Sequence, residues 1–318
     1  MMKFLVSLFT VFVIAITSLA IYMINCPNKL TEEKGIVLAK GVSVRRLSED
    51  LQEARVINSS LLFRLVVRGL GIDKKLQAGE YMFPPKANMM QIAKQLQNGE
   101  VYYRRITLNE GWTSAQMIDF INNEPNLTGD ISIKTEEGSM LPETYSFSKG
   151  DSRNSIVKQA QKAMDKVLND AWKSNNVGVL KNKKELLVLA SIIEKETGLP
   201  GERNDVAAVF VNRLNKGMKL QTDPTVIYAI TLGKRSLGRS LLKKDLEYDS
   251  PYNTYKNYGL PPSPICNPGK EAIYAAANPS SADYLYFVAK GNGGHRFAKT
   301  LSEHNDNVAL YRKFLKNK

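Results

Sequence analysis

Residues Phe4 to Ile24 form an unbroken run of 21 uncharged positions, FLVSLFTVFVIAITSLAIYMI, with Lys3 before it and Pro27 and Lys29 after it. About 20 consecutive apolar residues suffice to cross a hydrocarbon core, so the run predicts a transmembrane helix. A cleaved signal peptide has a shorter apolar region, roughly 7–15 residues, with its small-residue site beyond it. Here the candidate site, Ser18-Leu19-Ala20, lies inside the run. Cys26 follows Met23-Ile24-Asn25, and Asn25 is a poor residue to precede a lipidated cysteine. The expectation is an uncleaved single-pass anchor over residues 1–25. Charge does not orient it: Lys29, Lys34 and Lys40 follow the span against Lys3 before it, but long domains cross largely regardless of such counts.

The 318-residue chain is 43% hydrophobic and 24% charged, a globular balance that excludes disorder or coiled coil as whole-chain readings. It carries only two cysteines, Cys26 and Cys266, both expected to be free, so a disulfide framework and a cysteine-rich zinc site are excluded. Its two histidines, His295 and His304, form no His-Glu-x-x-His helix, and any triad would have to use one of them. Any chemistry is thereby pushed toward carboxylates, with no metal or cofactor expected.

After a short polar linker, Asn25 to Lys34, residues 35–102 read as a small α+β module of strand, helix, helix and strand. Gly35 opens a strand. Val44, Leu47, Leu51 and Ala54 recur at helical spacing, and a second helix fits Leu61 to Val67, closed by Gly69. Ala78 to Phe83 is strand-like and stopped by Pro84-Pro85, and Met89, Ile92, Ala93 and Leu96 make a last amphipathic segment before Gly99. From 103 to 318 longer helices dominate: Val157 to Trp172, Glu185 to Thr197, Asp205 to Leu214, Lys270 to Ala277 and Asn305 to Leu315, with a strand Tyr284 to Ala289. Residues 248–268, rich in proline and tyrosine, are too polar for core and are expected to line a site, as long loops tend to do.

Leu186 to Ile193 is apolar nearly all round, so this helix must be buried, yet it ends in Glu194-Lys195-Glu196-Thr197 before a glycine turn. A carboxylate there is partly desolvated and sits at the negative end of the helix dipole. Both effects raise its pKa, which suits a general acid near neutral pH. Periodicity does not choose between the acids: Glu194 falls over Leu187 and Ala190, and Glu196 over Leu189, Ile192 and Ile193. Gln221, Thr222 and Asp223 read as an extended segment ended by Pro224, offering an amide, a hydroxyl and a carboxylate to sugar hydroxyls and acetamides. Tyr252-Asn253-Thr254-Tyr255 adds polar groups and rings able to stack on a pyranose. An Asx turn or helix cap is the plainer alternative for either segment. Lys290 to His295 has glycines but not the spacing of a phosphate loop, because Arg296 stands at the last glycine position; a hairpin turn over Gly291 to Gly294 fits better.

Taken in order, these segments resemble the YceG-like, MltG-type endolytic murein transglycosylases. The likeness runs through the anchor, Leu76-Gln-Ala-Gly-Glu-Tyr81, Leu108-Asn-Glu-Gly-Trp-Thr113, Leu141-Pro-Glu-Thr-Tyr145 and Ala190-Ser-Ile-Ile-Glu-Lys-Glu-Thr197. It continues through Leu220-Gln-Thr-Asp-Pro-Thr225, Tyr252 to Tyr255, Gly259-Leu-Pro-Pro262, Tyr284-Leu-Tyr-Phe-Val288 and Gly293-Gly-His295. The resemblance implies an α+β protein with an N-terminal transmembrane helix (1–25), a LysM-like module (35–102) that holds glycan, and a helix-rich mixed catalytic domain (103–318).

It further implies a bacterial inner-membrane enzyme whose periplasmic domain cuts nascent peptidoglycan strands between N-acetylmuramic acid and N-acetylglucosamine. The cut leaves 1,6-anhydromuramyl ends and so terminates elongation. Because the sugar's own 6-hydroxyl attacks, one carboxyl group can serve as acid and then base. Glu196-Thr197-Gly198 is similar to the Glu-Ser-Gly ending of lysozyme-like lytic transglycosylases, so Glu196 is the expected catalytic residue and Glu194 the alternative. Gln221, Asp223, Asn253, Thr254 and Tyr255 are carried over as cleft residues, and peptidoglycan synthases are the candidate protein partners. A membrane-anchored, non-catalytic peptidoglycan binder is the rival reading. The net charge of +13 lacks the basic helix or aromatic-laced stripe that nucleic-acid binding would need, and stem-peptide carboxylates and anionic lipids account for it.

Overall fold

Twenty-four consecutive residues without a helix breaker form the first helix, α1 (Met2–Asn25). At 1.5 Å per residue it is roughly 36 Å long, enough for a hydrocarbon core of about 30 Å. Its apolar side chains are exposed all round, Phe4 at 74% and Tyr22 at 67%. The Thr10 and Thr17 hydroxyls donate back to the carbonyls of Val6 and Val13, at 2.9 Å each, so neither needs water. The computed structural model describes residues 2–39, 41–72, 76–291 and 293–316. Lys40, counted above among the charges after the span, and Asn292 of the expected hairpin turn lie outside them.

The chain divides into two compact units, residues 1–105 with 146–151, and residues 106–145 with 152–318. In the first, β1 (Lys34–Leu38) is followed by α2 (Val44–Glu53), α3 (Ser60–Gly69), β2 (Gly79–Phe83) and α4 (Met89–Asn98). β1 and β2 pair antiparallel with Ile36 opposite Tyr81. Leu47, Leu51, Phe63, Val67, Tyr81, Phe83, Ile92 and Leu96 close a core at 0–2% exposure. Ser43, Ser59 and Asn88 cap the three helices, and Gly99, at φ 65°, ends α4 as a left-handed C-cap. Gly69, expected to close α3, is still helical; the left-handed glycine is Gly71, at φ 64°. The polar linker after α1 is folded rather than free. Asn28 is 6% exposed, its amide donates to Ala87 O and its side chain to Pro84 O.

Two short strands, β3 (Arg104–Thr107) and, after α5 (Ser114–Asn122), β4 (Thr144–Phe147), pair where the chain passes between the units. The second unit then builds α6 (Arg153–Lys173), α7 (Lys183–Glu196), α8 (Arg203–Asn215), α9 (Asp223–Thr231), α10 (Lys270–Ala277), the antiparallel pair β5 (Tyr286–Ala289) and β6 (His295–Ala298), and α11 (Leu301–Lys316). Helix α7 is central, with α6, α8, α9 and α10 packed on it and Leu186 to Ile193 all buried.

Two expectations are corrected here. Asp223 and Pro224 open helix α9 rather than ending an extended segment, because proline suits the first helical turn, where its missing N–H costs nothing. The 248–268 stretch is not all surface: Pro264 to Gly269 are buried. Its polar groups have partners inside. Ile265 N donates to Ser191 Oγ at 3.0 Å, and Asn267 accepts from Met140 N at 2.9 Å while donating to Trp112 O and Ser114 Oγ at 3.1 Å.

Candidate active site

Helix α7 stops at Glu196 because Thr197 turns extended, at φ −143°, ahead of Gly198 and Pro200. The stop leaves the last carboxylate at the mouth of a cavity of about 490 Å³ in the second unit. Glu196, Gln221, Asp223, Tyr255, Arg213 and His295 line it, together with Tyr286 and Phe287 from β5.

Thr222, the N-cap residue of α9, donates its hydroxyl hydrogen to Glu196 Oε1. The hydroxyl network behind it is fully directed. Thr225 Oγ1 gives its proton to Thr222 O at 2.7 Å, so Thr254 Oγ1 donates to Thr225 Oγ1 at 2.8 Å while accepting from Thr222 N at 3.1 Å. Gln221 sits beside this network at φ 53°, a left-handed conformation rare for a side-chain-bearing residue, held by its amide bond to Thr254 O. Tyr255 OH donates to Asp223 Oδ1 at 2.6 Å.

Burial pushes the Glu196 carboxyl above its ordinary range; the Thr222 bond opposes that rise, and nearby Asp223 adds to it. Glu194 is also raised by burial, but its carboxylate faces elsewhere: Oε2 accepts from Gly269 N, the N-cap of α10, at 2.9 Å. Geometry thus separates two acids that periodicity leaves equivalent.

Of the residues expected from the sequence, Glu196, Gln221, Asp223 and Tyr255 come together around the cavity. Asn253 and Thr254 stand behind its wall at 0% and 1% exposure. The Asn253 side chain donates to Leu246 O and Tyr248 O, at 2.8 Å each, and accepts from Tyr255 N at 2.9 Å, so three of its four hydrogen-bonding positions go into holding the loop that carries Tyr255.

Sequence reasoning did not single out Arg213, Glu202 or the ring of His295. Arg213 donates to Leu285 O and Leu220 O, at 2.7 Å each, and lies 5.2 Å from the Tyr286 ring centre. Glu202, in the 3-10 turn before α8, accepts from His295 N at 3.0 Å and pairs with Nδ1 at 2.8 Å. The scarcity of histidine was the available signal. Among the described residues no group of three or more histidine, cysteine, aspartate or glutamate side chains forms a metal site.

The YceG-like family matches residues 36–310. A Bacillus subtilis protein named endolytic murein transglycosylase is 36% identical over 304 residues, covering 85% of this chain and 82% of that one. A Streptococcus pneumoniae protein of the same name is 30% identical over 321 residues, and the match spans 57% of its length. A crystal structure of a yceG-like protein from Listeria monocytogenes superposes with a TM-score of 0.53 at 34% identity, over 86% of this chain and 99% of that one. A match over this much of the sequence, together with relatives at this identity, places the chain in the YceG-like family.

Proposed function

We propose that this protein is a lytic transglycosylase that cleaves peptidoglycan glycan strands internally, with Glu196 as its sole acid and base. The observation that carries the reading is a carboxyl group raised by burial and opening onto a polar, aromatic cavity. The names of the relatives support the substrate.

Glu196 donates its proton to the oxygen joining N-acetylmuramic acid C1 to N-acetylglucosamine, and the C1–O bond breaks toward an oxocarbenium-like ring. The 6-hydroxyl of the same muramyl residue then bonds to C1 while its proton passes to Glu196. The products are a 1,6-anhydro end and a free 4-hydroxyl, with the acid restored. Because Thr222 donates to Oε1, the transferable proton belongs on Oε2. Gln221, Asp223 and Tyr255 supply the polar contacts that orient the sugar, and Asn253 and Thr254 hold them in place. Asp223 also supports a second reading: with two carboxylates on one cavity, water could be the nucleophile.

In the same proposal, α1 anchors the protein in the inner membrane with the catalytic domain (103–318) on the periplasmic side. The 35–102 module is LysM-like and holds glycan, and peptidoglycan synthases are the protein partners. Digestion of purified sacculi, read by mass spectrometry, tests the chemistry. Anhydromuramyl ends, one water lighter than reducing ends, are expected; reducing ends would transfer the role of base to Asp223, and no cleavage would leave a glycan-binding protein.

A further inference from the structure

A second cavity, about 360 Å³, opens beside the last turn of α7. Lys195, Arg235, Arg239 and Gln116 give it polar walls, and Ile227 and Ile265 an apolar side. Lys195 and Glu196 are consecutive helical residues, about 100° apart around the axis, so the turn that presents the acid to one cavity presents a cation to the other. Helix α9 is shared as well, with Asp223 on the first cavity and Pro224, Ile227 and Tyr228 on the second.

The charge of the second cavity is unbalanced. Arg239 is matched by Asp245, at 2.6 and 2.9 Å. Glu137, beneath the floor, is occupied by Ser114 N at 2.7 Å and Tyr228 OH at 3.3 Å. Lys195 Nζ donates to a backbone carbonyl, Gly111 O, at 3.3 Å and feels the Glu194 charge without pairing with it, and neither Lys195 nor Arg235 has an ion pair among the described residues. Two free cations beside aliphatic walls, in a hollow within the usual 300–1,000 Å³ range of small-ligand sites, suit a short acidic peptide with small apolar side chains.

We propose that this cavity binds the acidic stem peptide of the muramyl residue whose bond is cut. The inference rests on the transglycosylase reading, which supplies the reason for adjacency: the stem hangs from the 3-position of the same sugar whose C1 meets Glu196. Lys195 and Arg235 receive the stem carboxylates, and Ile227 and Ile265 the alanine methyl groups.

The test uses the full chain in detergent with N-acetyl-L-alanyl-γ-D-glutamyl-L-lysine as probe, its acylated N-terminus matching the amide that links the stem to the sugar, titrated by NMR into the Glu196→Gln protein. Adding Lys195→Gln and Arg235→Glu should weaken binding at least ten-fold, whereas adding Arg235→Lys alone should keep it within about three-fold. Equal binding with and without the charge changes would overturn the site. In parallel, otherwise wild-type chains digest peptide-bearing strands and strands stripped by an amidase. The wild type should prefer the former, and Lys195→Gln with Arg235→Glu should lower that preference several-fold; an unchanged preference counts against the site. Absence of anhydro ends from both kinds of strand in the wild-type digest would sink the transglycosylase reading instead, and the titration would still decide the pocket.

Discussion

Thr222 donates its hydroxyl hydrogen to Oε1 of Glu196, tying the N-cap of one helix to the last residue of another. The bond fixes which carboxyl oxygen faces the cavity and tempers the rise in pKa that burial imposes. Glu196→Gln should therefore cut kcat by the roughly 10²–10⁴-fold that proton transfer contributes. Glu194→Gln should stay within a few-fold, because the new amide oxygen still accepts from Gly269 N. Rates of anhydromuramyl release decide it. The reverse ranking would hand the role to Glu194.

The same substitution should stabilise the fold. The folded carboxyl is raised above its ordinary value of 4.5, so the folded state resists ionisation that the unfolded chain accepts freely. The wild type keeps its full stability below pH 4.5 and loses part of it as pH climbs from there through the folded pKa. Glutamine does not titrate. Thermal melts should coincide near pH 4 and separate above it, with Glu196→Gln the higher, the gap levelling off once the folded group has ionised.

Tyr255→Phe removes the bond to Asp223 on the cavity side, while Asn253→Ala removes three bonds behind the wall. The first should lower kcat/KM about ten-fold, the value of one bond of roughly 1.4 kcal/mol, with little change in unfolding midpoint. The second should cost about 1–3 kcal/mol in urea unfolding, since buried carbonyls and an amide lose their partners. Equal stability losses from both would mean that Tyr255, too, is chiefly a structural residue.

Removing Thr222's hydroxyl isolates its electrostatic part. Thr222→Val withdraws a bond that favours the ionised acid, so the Glu196 pKa should rise further. Catalysis that needs the protonated acid then persists to higher pH, and the alkaline limb of the kcat/KM profile should move upward. A limb that moves to lower pH would contradict the assigned role of Glu196 as proton donor.

The anchor proposed for α1 makes a chemical prediction as well. The protein recovered from membranes should retain residues 1–25 by intact mass and leave the membrane only with detergent. A species beginning after Ala20 and found in the soluble fraction would identify α1 as a cleaved signal sequence.

Much of this was legible in the chain because local rules govern it. Met89, Ile92, Ala93 and Leu96 before Gly99 mark α4, and Leu186 to Ile193 announces a buried helix. What escaped depends on tertiary contact. Nothing local tells that Pro264 to Gly269 fill core, since their polar atoms are satisfied by Ser191, Met140 and Trp112, far away in sequence. Pro224 was ambiguous because the residue that ends a strand also opens a helix. Glu202 and His295, 93 positions apart, become a pair only when β6 returns beside the 3-10 turn that carries Glu202.

Asn28 closes the gap between α1 and the rest of the first unit three residues after the helix ends. A rod embedded in a fluid sheet can spin and drift sideways but cannot rise from it, and whatever is clasped to its end shares that confinement. Under the proposed topology the module proposed to hold glycan has no tether to let out. It would patrol a thin layer above the lipid and meet polymer there soon after synthesis, leaving older, more distant wall out of reach.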